Sequence, residues 1–499
     1  MIEPSADSSG PRACIDSPIA PARLDRRRHR PAAILAGLAM ALAGCAVVES
    51  NQPHNRPAAP APLVLDAPAE AAAPAAVVDP ESDDVVALSF SGGGLRAAAF
   101  AAGAMQGLAA QPGPIGRNLL QQVSFITSVS GGSLPAAWVG LHGTDSIAEF
   151  RQTALLHAGR RDLGSNVRNS VSLLRLAGDG LTHWLDDEVF HGATFSGMNA
   201  PGRPVVWINA TNLNQRLPFA FEQRNFDALC SDIRTFPVAD AVAASMAVPL
   251  VFSPVVLEKH PERCTTSLPE PGDGGNAAWG DTMLAKATAA ALKDYRDVAN
   301  GRYLKLVDGG LTDNFGLSSI QQSRLLAGTP LAPLSEAQAL RIRRLLFVVV
   351  DGGQRPVVTW NRGIDGPSGF DLAFASVDAA IDTNMRLSYD NFLATSKRWR
   401  EDLVDWRCTR SESDQDSQRA RRADWRCDDL QIAVSRISFD DLVPPRAFRL
   451  HQISTSLTLP QQDVDTVIEA GRDAMIRNGT VQAFSLSLRS EPDAAPLSR

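Results

Sequence analysis

Hydrophobic and polar positions change period along this chain in a repeating order. A continuous apolar run, VVALSF from residue 85, ends in Ser91 and three glycines, and the stretch behind it, LRAAAFAAGAM, is apolar almost throughout. A second run, VSFITSV at 123–129, ends in Ser130, Gly131 and Gly132 and passes into SLPAAW. Such runs, bounded by turn residues, predict strands buried on both faces, each followed by a helix. The alternation continues with a strand at 203–212 (RPVVWINATN), a helix at 238–247 stopped before Pro249, and strands at 303–307 and 345–350. Strands and helices in this order predict an α/β fold with a mainly parallel central sheet flanked by helices.

Outside these units the pattern loosens. Residues 147–185 carry apolar positions at mixed spacings of three and four and predict a helical cap beside the site, whereas the Pro- and Gly-rich stretch 261–281 predicts a surface excursion. Beyond residue 360 the order becomes a long helix at 371–406, a charged insertion at 407–429, a strand at 430–439 and a closing amphipathic helix at 461–478. The expected organisation is a core domain at 81–355 and a C-terminal extension at 356–499 packed on it. In the helix behind the first glycine turn, Ala99, Gly103 and Gly107 recur at spacings of four, which offers a narrow face for close approach by another element.

The first 80 residues read as an address and a spacer. Arg26, Arg27, Arg28, His29 and Arg30 precede an apolar run at 32–43, which is shorter than the ~20 residues a spanning helix needs. Leu42-Ala43-Gly44-Cys45 then resembles the lipobox of bacterial lipoproteins, which implies cleavage after residue 44 and a lipid anchor on Cys45. Alanine at position 46 resembles the outer-membrane sorting pattern, so the expected location is the cell envelope. An ordinary secretory signal with a cysteine nearby is the alternative. Residues 45–80, dominated by alanine and proline, predict a tether without a core. The remaining Cys230, Cys264, Cys408 and Cys427 allow three pairings, and the short loops favour 230 with 264 and 408 with 427. A net charge of −7 without a basic stripe excludes a nucleic-acid partner.

The chemistry points to the two turns. Ser130 stands between a buried strand and a helix with glycines after it, the outline of a nucleophile elbow in which a sharp turn lifts the hydroxyl clear of the sheet. Ser128 occupies the position where that pattern usually has glycine. Pro135 falls in the first helical turn, where its missing N–H leaves nothing unsatisfied. At the other turn, Gly92, Gly93 and Gly94 end a strand and open a helix, so backbone N–H groups converge on a small volume that suits a negative oxygen, with Arg96 adding charge nearby. The same glycines fit a dinucleotide fingerprint, which needs an acidic residue about 20 positions onward. No acidic residue lies between Asp84 and Asp145, and no lysine follows to make a phosphate loop.

These turns, with VDGGLTDNFGL from residue 307 and ASMAVPLVFSPV from residue 244, resemble the patatin-like phospholipase family. The resemblance runs over about residues 85–350 and implies a serine acyl-ester hydrolase acting on phospholipid or lysophospholipid. Gly92, Gly93, Gly94 and Arg96 would form the oxyanion hole, Ser130 would be the nucleophile and Asp308 its proton acceptor, with no metal or cofactor. Asp-Gly-Gly occurs three times, at Asp273, Asp308 and Asp351. Asp273 lacks a preceding strand and GQRPVV after Asp351 does not match the family motif, so Asp308 is the expected acid. Two other readings stay open: an α/β-hydrolase triad completed by His451, the one histidine beyond Asp308, and a non-catalytic lipid-binding lipoprotein. His183, Asp187 and His191, four residues apart, would share a helix face with metal-ligand chemistry, against the plainer reading of solvated surface.

Overall fold

A computed structural model describes residues 52–59 and 83–489, apart from 115, 157–179, 199, 201, 250, 266–267, 269–281, 328, 330, 356–357, 359 and 368. Its centre is an eight-stranded sheet built from β1 (Asp84–Phe90), β2 (Val123–Val129), β3 (Val205–Asn212), β4 (Leu217–Ala220), β5 (Val255–Glu258), β6 (Tyr303–Asp308), β7 (Arg344–Asp351) and β8 (Gln431–Ser438). The spatial order is β5-β6-β3-β2-β1-β7-β8, with β4 paired to β3. β3, β2, β1, β7 and β8 run parallel, while β6 and β4 meet β3 antiparallel and β5 meets β6 antiparallel. The predicted mainly parallel α/β sheet is therefore what forms, with one antiparallel corner.

Strand alternation sorts side chains between two cores. Val86, Leu88 and Phe90 of β1 face a layer that includes α1 (Gly94–Ala109), α2 (Ser133–His142) and α3 (Val238–Met246). Val85 and Ala87 face the opposite layer, where Phe392, Trp399 and Leu403 of α4 (Phe370–Cys408) cover the sheet. β4 and β5, of four residues each, were invisible as periods because two alternations do not separate a strand from a loop.

The small-residue face of α1 receives the closing helix, α5 (Gln461–Arg477). A Cβ at Gly103 would stand 2.0 Å from the carbonyl oxygen of Ile468, and one at Gly471 would stand 2.1 Å from that of Phe100. Backbones touch there, so a single added methyl would force the helices apart. The C-terminal stretch also supplies the edge strand β8, and its charged segment folds as a helix, Glu412–Arg421, capped by Ser411. Arg407, fully buried, ties that segment down through Asp429 at 2.7 Å. Both short-loop disulfides form, Cys230–Cys264 and Cys408–Cys427.

The tether expectation needs one correction. Residues 52–59 lie against the body: His54 N–H donates to Val256 O (3.0 Å), Ala58 N–H to Cys230 O (2.9 Å), and the buried Asn55 side chain donates to Ser231 Oγ (2.6 Å) and Glu258 O (2.8 Å). An extended Pro/Ala chain has no core of its own, yet its backbone can borrow partners from an existing edge. The leader 1–44, Cys45, most of the tether, Asp273 and the middle of the predicted cap lie outside the described residues. Among the described residues no helix is long and apolar enough to cross a membrane.

Candidate active site

The elbow is held by its neighbours. Ser130 adopts φ 50°, a left-handed conformation that costs a side chain on the order of 1 kcal/mol or more. Its N–H donates to Ser245 Oγ at 2.7 Å, and Ser245 Oγ in turn donates to Asn209 O at 2.6 Å. Ser133 Oγ stands 3.1 Å from the same hydroxyl. The strained residue is thus pinned to β3 through one side chain of α3. The glycines after it are steric necessities: a Cβ at Gly131 would lie 1.9 Å from Gly94 O, and one at Gly132 would lie 2.6 Å from Ser91 O. The two glycine-bearing turns pack directly on one another. Ser128 raises no conflict, because its hydroxyl donates to Trp207 O on β3 at 3.1 Å.

β3 spaces the serine from the acid. Val129 is in register with Asn209, and the next residue of β3, Ala210, is in register with Asp308. Because β6 runs antiparallel, its last residue stops level with the elbow. Ser130 Oγ donates to Asp308 Oδ2 at 2.8 Å, and Gly310 N–H donates to Oδ1 at 2.8 Å. Gly309 turns the chain where a Cβ would meet Asn209 O at 2.4 Å. Burial pushes the Asp308 carboxyl up to about 6, against the two hydrogen bonds, which favour the charged form.

The glycine turn differs from expectation in two respects. Gly92 N–H is already taken, donating to Asn314 Oδ1 (3.1 Å) and Asn314 O (3.3 Å). Gly93 and Gly94, at φ 138° and 61°, keep N–H groups with no acceptor among the described residues. Arg96 is fully buried, and its guanidinium donates to Gly352 O (2.9 Å), Gln354 Oε1 (2.8 Å), Ile453 O (2.7 Å) and Thr455 Oγ1 (3.2 Å). None of its bonds reaches Ser130 or Asp308. α1 follows β1, whose outer neighbour is β7, so the first-turn side chain meets the loop leaving β7. Burial lowers the Arg96 pKa to about 10, with Asp351 opposing, so it stays charged at neutral pH. It acts as a brace for the turn.

The rival groups are committed elsewhere. Asp351 Oδ2 accepts from Arg436 Nη2 (2.5 Å) and Nε (3.0 Å). His451 lies at the end of a helix, Pro444–His451, with Nε2 at 2.9 Å from Asp440 Oδ1 and Nδ1 accepting from Arg355 N–H at 3.1 Å. His183 lies in the last turn of one helical segment, Gly180–Leu185, Asp187 lies in the next, Asp186–Phe190, and His191 leaves it in a left-handed conformation. No metal-binding cluster of His, Cys, Asp and Glu occurs among the described residues. Ser245, Asn209 and Asn314 were not assigned roles from sequence. Two of them lay within the stretches that carried the resemblance, so a signal existed without a geometry to interpret it.

Comparison with known families agrees with the motifs. The family model for patatin-like phospholipases matches residues 88–319, from β1 to beyond Asp308. Human GIVD cytosolic phospholipase A2 is a similar solved structure at 13% identity and TM-score 0.38, covering 81% of this chain, which spans 62% of that protein. Comparison with curated proteins finds no match. The two turns, the Asp-Gly-Gly corner and the family match fall on the same stretch, and residues 88–319 form a patatin-like phospholipase domain.

Proposed function

We propose that the chain is a lipid acyl hydrolase of the phospholipase A or lysophospholipase type, working through an acyl-enzyme on Ser130. The observation that carries this reading is the direct 2.8 Å hydrogen bond from Ser130 Oγ to a buried carboxylate, Asp308, whose basicity burial has raised. As Oγ attacks the ester carbonyl, its proton passes to Asp308 Oδ2, and the developing oxyanion accepts from Gly93 and Gly94 N–H at the start of α1. Asp308 returns the proton to the departing alcohol. It then takes one from the water that cleaves the acyl-serine and passes it to Ser130 Oγ as the fatty acid leaves. No step calls for a metal, so chelator should leave turnover unchanged. Purified protein should release fatty acid from phospholipid or lysophospholipid while Ser130→Ala protein does not. Equal release by both would remove the nucleophile from Ser130.

The triad reading is the weaker one, since both ring nitrogens of His451 are engaged away from Ser130. A purely lipid-binding protein would retain vesicle binding with no hydrolysis in any lipid assay. The lipobox-like Cys45 supports an anchor in the cell envelope, most consistent with an outer membrane. Cys45→Ala protein should then leave the membrane fraction, and its retention there would refute the anchor.

A further inference from the structure

α4 extends beyond the protein it covers. Its buried stripe, Met385, Phe392, Trp399 and Leu403, packs on the sheet at helical spacing. The helix runs opposite to β7: Met385 Sδ accepts from Asn314 Nδ2 at 3.2 Å near the carboxyl ends of the strands, the Phe392 ring lies 4.6 Å from that of Phe347 in mid-strand, and Arg407 Nη1 donates to Ile342 O at the amino end. Residues before Met385 therefore project past the sheet edge at which Ser130 and Asp308 stand. From Leu372 to Met385 the helix advances about 20 Å at its standard rise.

That projection is apolar where a helix end should be polar. The packed face continues backward through Ile381, which still rests partly on that core, and then through Val377 and Phe374, and no residue from 371 to 384 is fully buried. Leu372 is 52% exposed and Phe374 38%, and the loop before the helix adds Trp360 at 43% and Ile364 at 100%. Exposed apolar residues grouped on one element, in contrast to scattered ones, mark a surface that meets something. Asn384 Nδ2 donates to Leu311 O, three residues past Asp308, so the base of the projection touches the acid loop.

We infer that Trp360, Ile364 and the exposed first turns of α4, residues 371–381, form an interfacial post that seats the active-site edge on a neutral or zwitterionic lipid surface. Trp, Phe, Leu and Ile are the side chains that enter the headgroup–acyl boundary. The charges among them, Asp365, Asp371 and Asp378 against Arg362, are mostly acidic, which disfavours an anionic surface and leaves apolar insertion as the attraction. This inference rests on the lipid hydrolase reading, but its test does not require turnover. The full chain carrying Cys45→Ala, which removes the anchor, should co-sediment with phosphatidylcholine vesicles, and binding should survive high salt. Adding Leu372→Asp and Phe374→Asp should weaken vesicle binding by about tenfold or more. Fatty-acid release from vesicles should fall alongside, while hydrolysis of a short soluble ester stays within about twofold, which also shows that the variant is folded. The conservative pair Leu372→Ile and Phe374→Trp should keep binding. Unchanged binding in the aspartate variant overturns the inference, as does vesicle binding abolished by salt. A wild-type dimer in solution that the aspartates dissociate overturns it too, since the post would then be covered by a second copy. Absence of hydrolysis with vesicle binding still lost on substitution would refute the hydrolase reading and leave the post standing.

Discussion

Asp308 and Asp351 are the same tripeptide placed in two environments. Each ends a strand at one edge of one sheet, each is followed by two glycines, and each accepts the N–H two residues onward at 2.8 Å on Oδ1. They part at the second oxygen. Asp351 Oδ2 meets the Arg436 guanidinium, an ion pair that spends the carboxylate on joining β7 to β8. Among the described residues Asp308 Oδ2 meets the Ser130 hydroxyl and no cation, and burial raises its pKa to about 6. Local sequence made both corners, and the strand next door decided which carboxylate faces a hydroxyl and which a cation. β3 brings a serine within reach of one, and β8 brings an arginine within reach of the other.

Exchanging each aspartate for asparagine should separate the two in opposite directions. Asp308→Asn, like Ser130→Ala, should lower hydrolysis by about a thousandfold or more, because serine loses its proton acceptor. The same change should raise stability. The folded carboxyl sits above its ordinary value of 3.8, so its contribution is fully present at low pH and is lost as pH rises from about 4 through about 6. At neutral pH the asparagine should recover on the order of 2 kcal/mol, read as a higher denaturation midpoint at pH 7 and little change at pH 4. Wild-type turnover should rise with pH through about 6 as the base ionises, and a rate flat from pH 5 to 8 would contradict a titrating Asp308.

Ser245→Ala should come next in size. It strips a partner from both Ser130 N–H and Asn209 O in a buried place, a loss of about 1–3 kcal/mol. We expect turnover to fall about 10- to 100-fold at nearly constant KM, since the elbow is displaced while the lipid site is untouched. Asp351→Asn should keep most activity but lower stability by about 1–2 kcal/mol, the reduced figure reflecting an Arg436 side chain that is still 30% exposed. The smallest effect belongs to His451→Ala, which should leave turnover within about threefold. A dead His451→Ala enzyme with normal unfolding would restore the triad and end the contrast between the two aspartates.

Strong periods were legible at once. The runs at 85–90, 123–129 and 345–350 became β1, β2 and β7, and the closing helix expected at 461–478 formed as Gln461–Arg477, because a long apolar pattern has one low-energy arrangement whatever surrounds it. The glycines at 92–94, 131–132 and 309–310 marked both turns and the acid corner before any contact was known. The sequence put Arg96 on this turn without fixing its partners, since a side chain in a first helical turn can swing toward either adjacent loop. The spacing of Ala99, Gly103 and Gly107 foretold a close approach but not that α5, more than 350 residues onward, would make it.

What the sequence determined by itself were the local states: which residues extend, which coil, and where a Cβ is forbidden. Those follow from period and sterics over a few residues. Only the tertiary structure decided that β6 enters antiparallel beside β3, that Ala210 stands level with Asp308, and that α4 outruns the sheet. These are matters of which distant segments become neighbours. A carboxylate is a base or half of an ion pair according to that neighbour, because burial raises its pKa only where no cation offsets the cost.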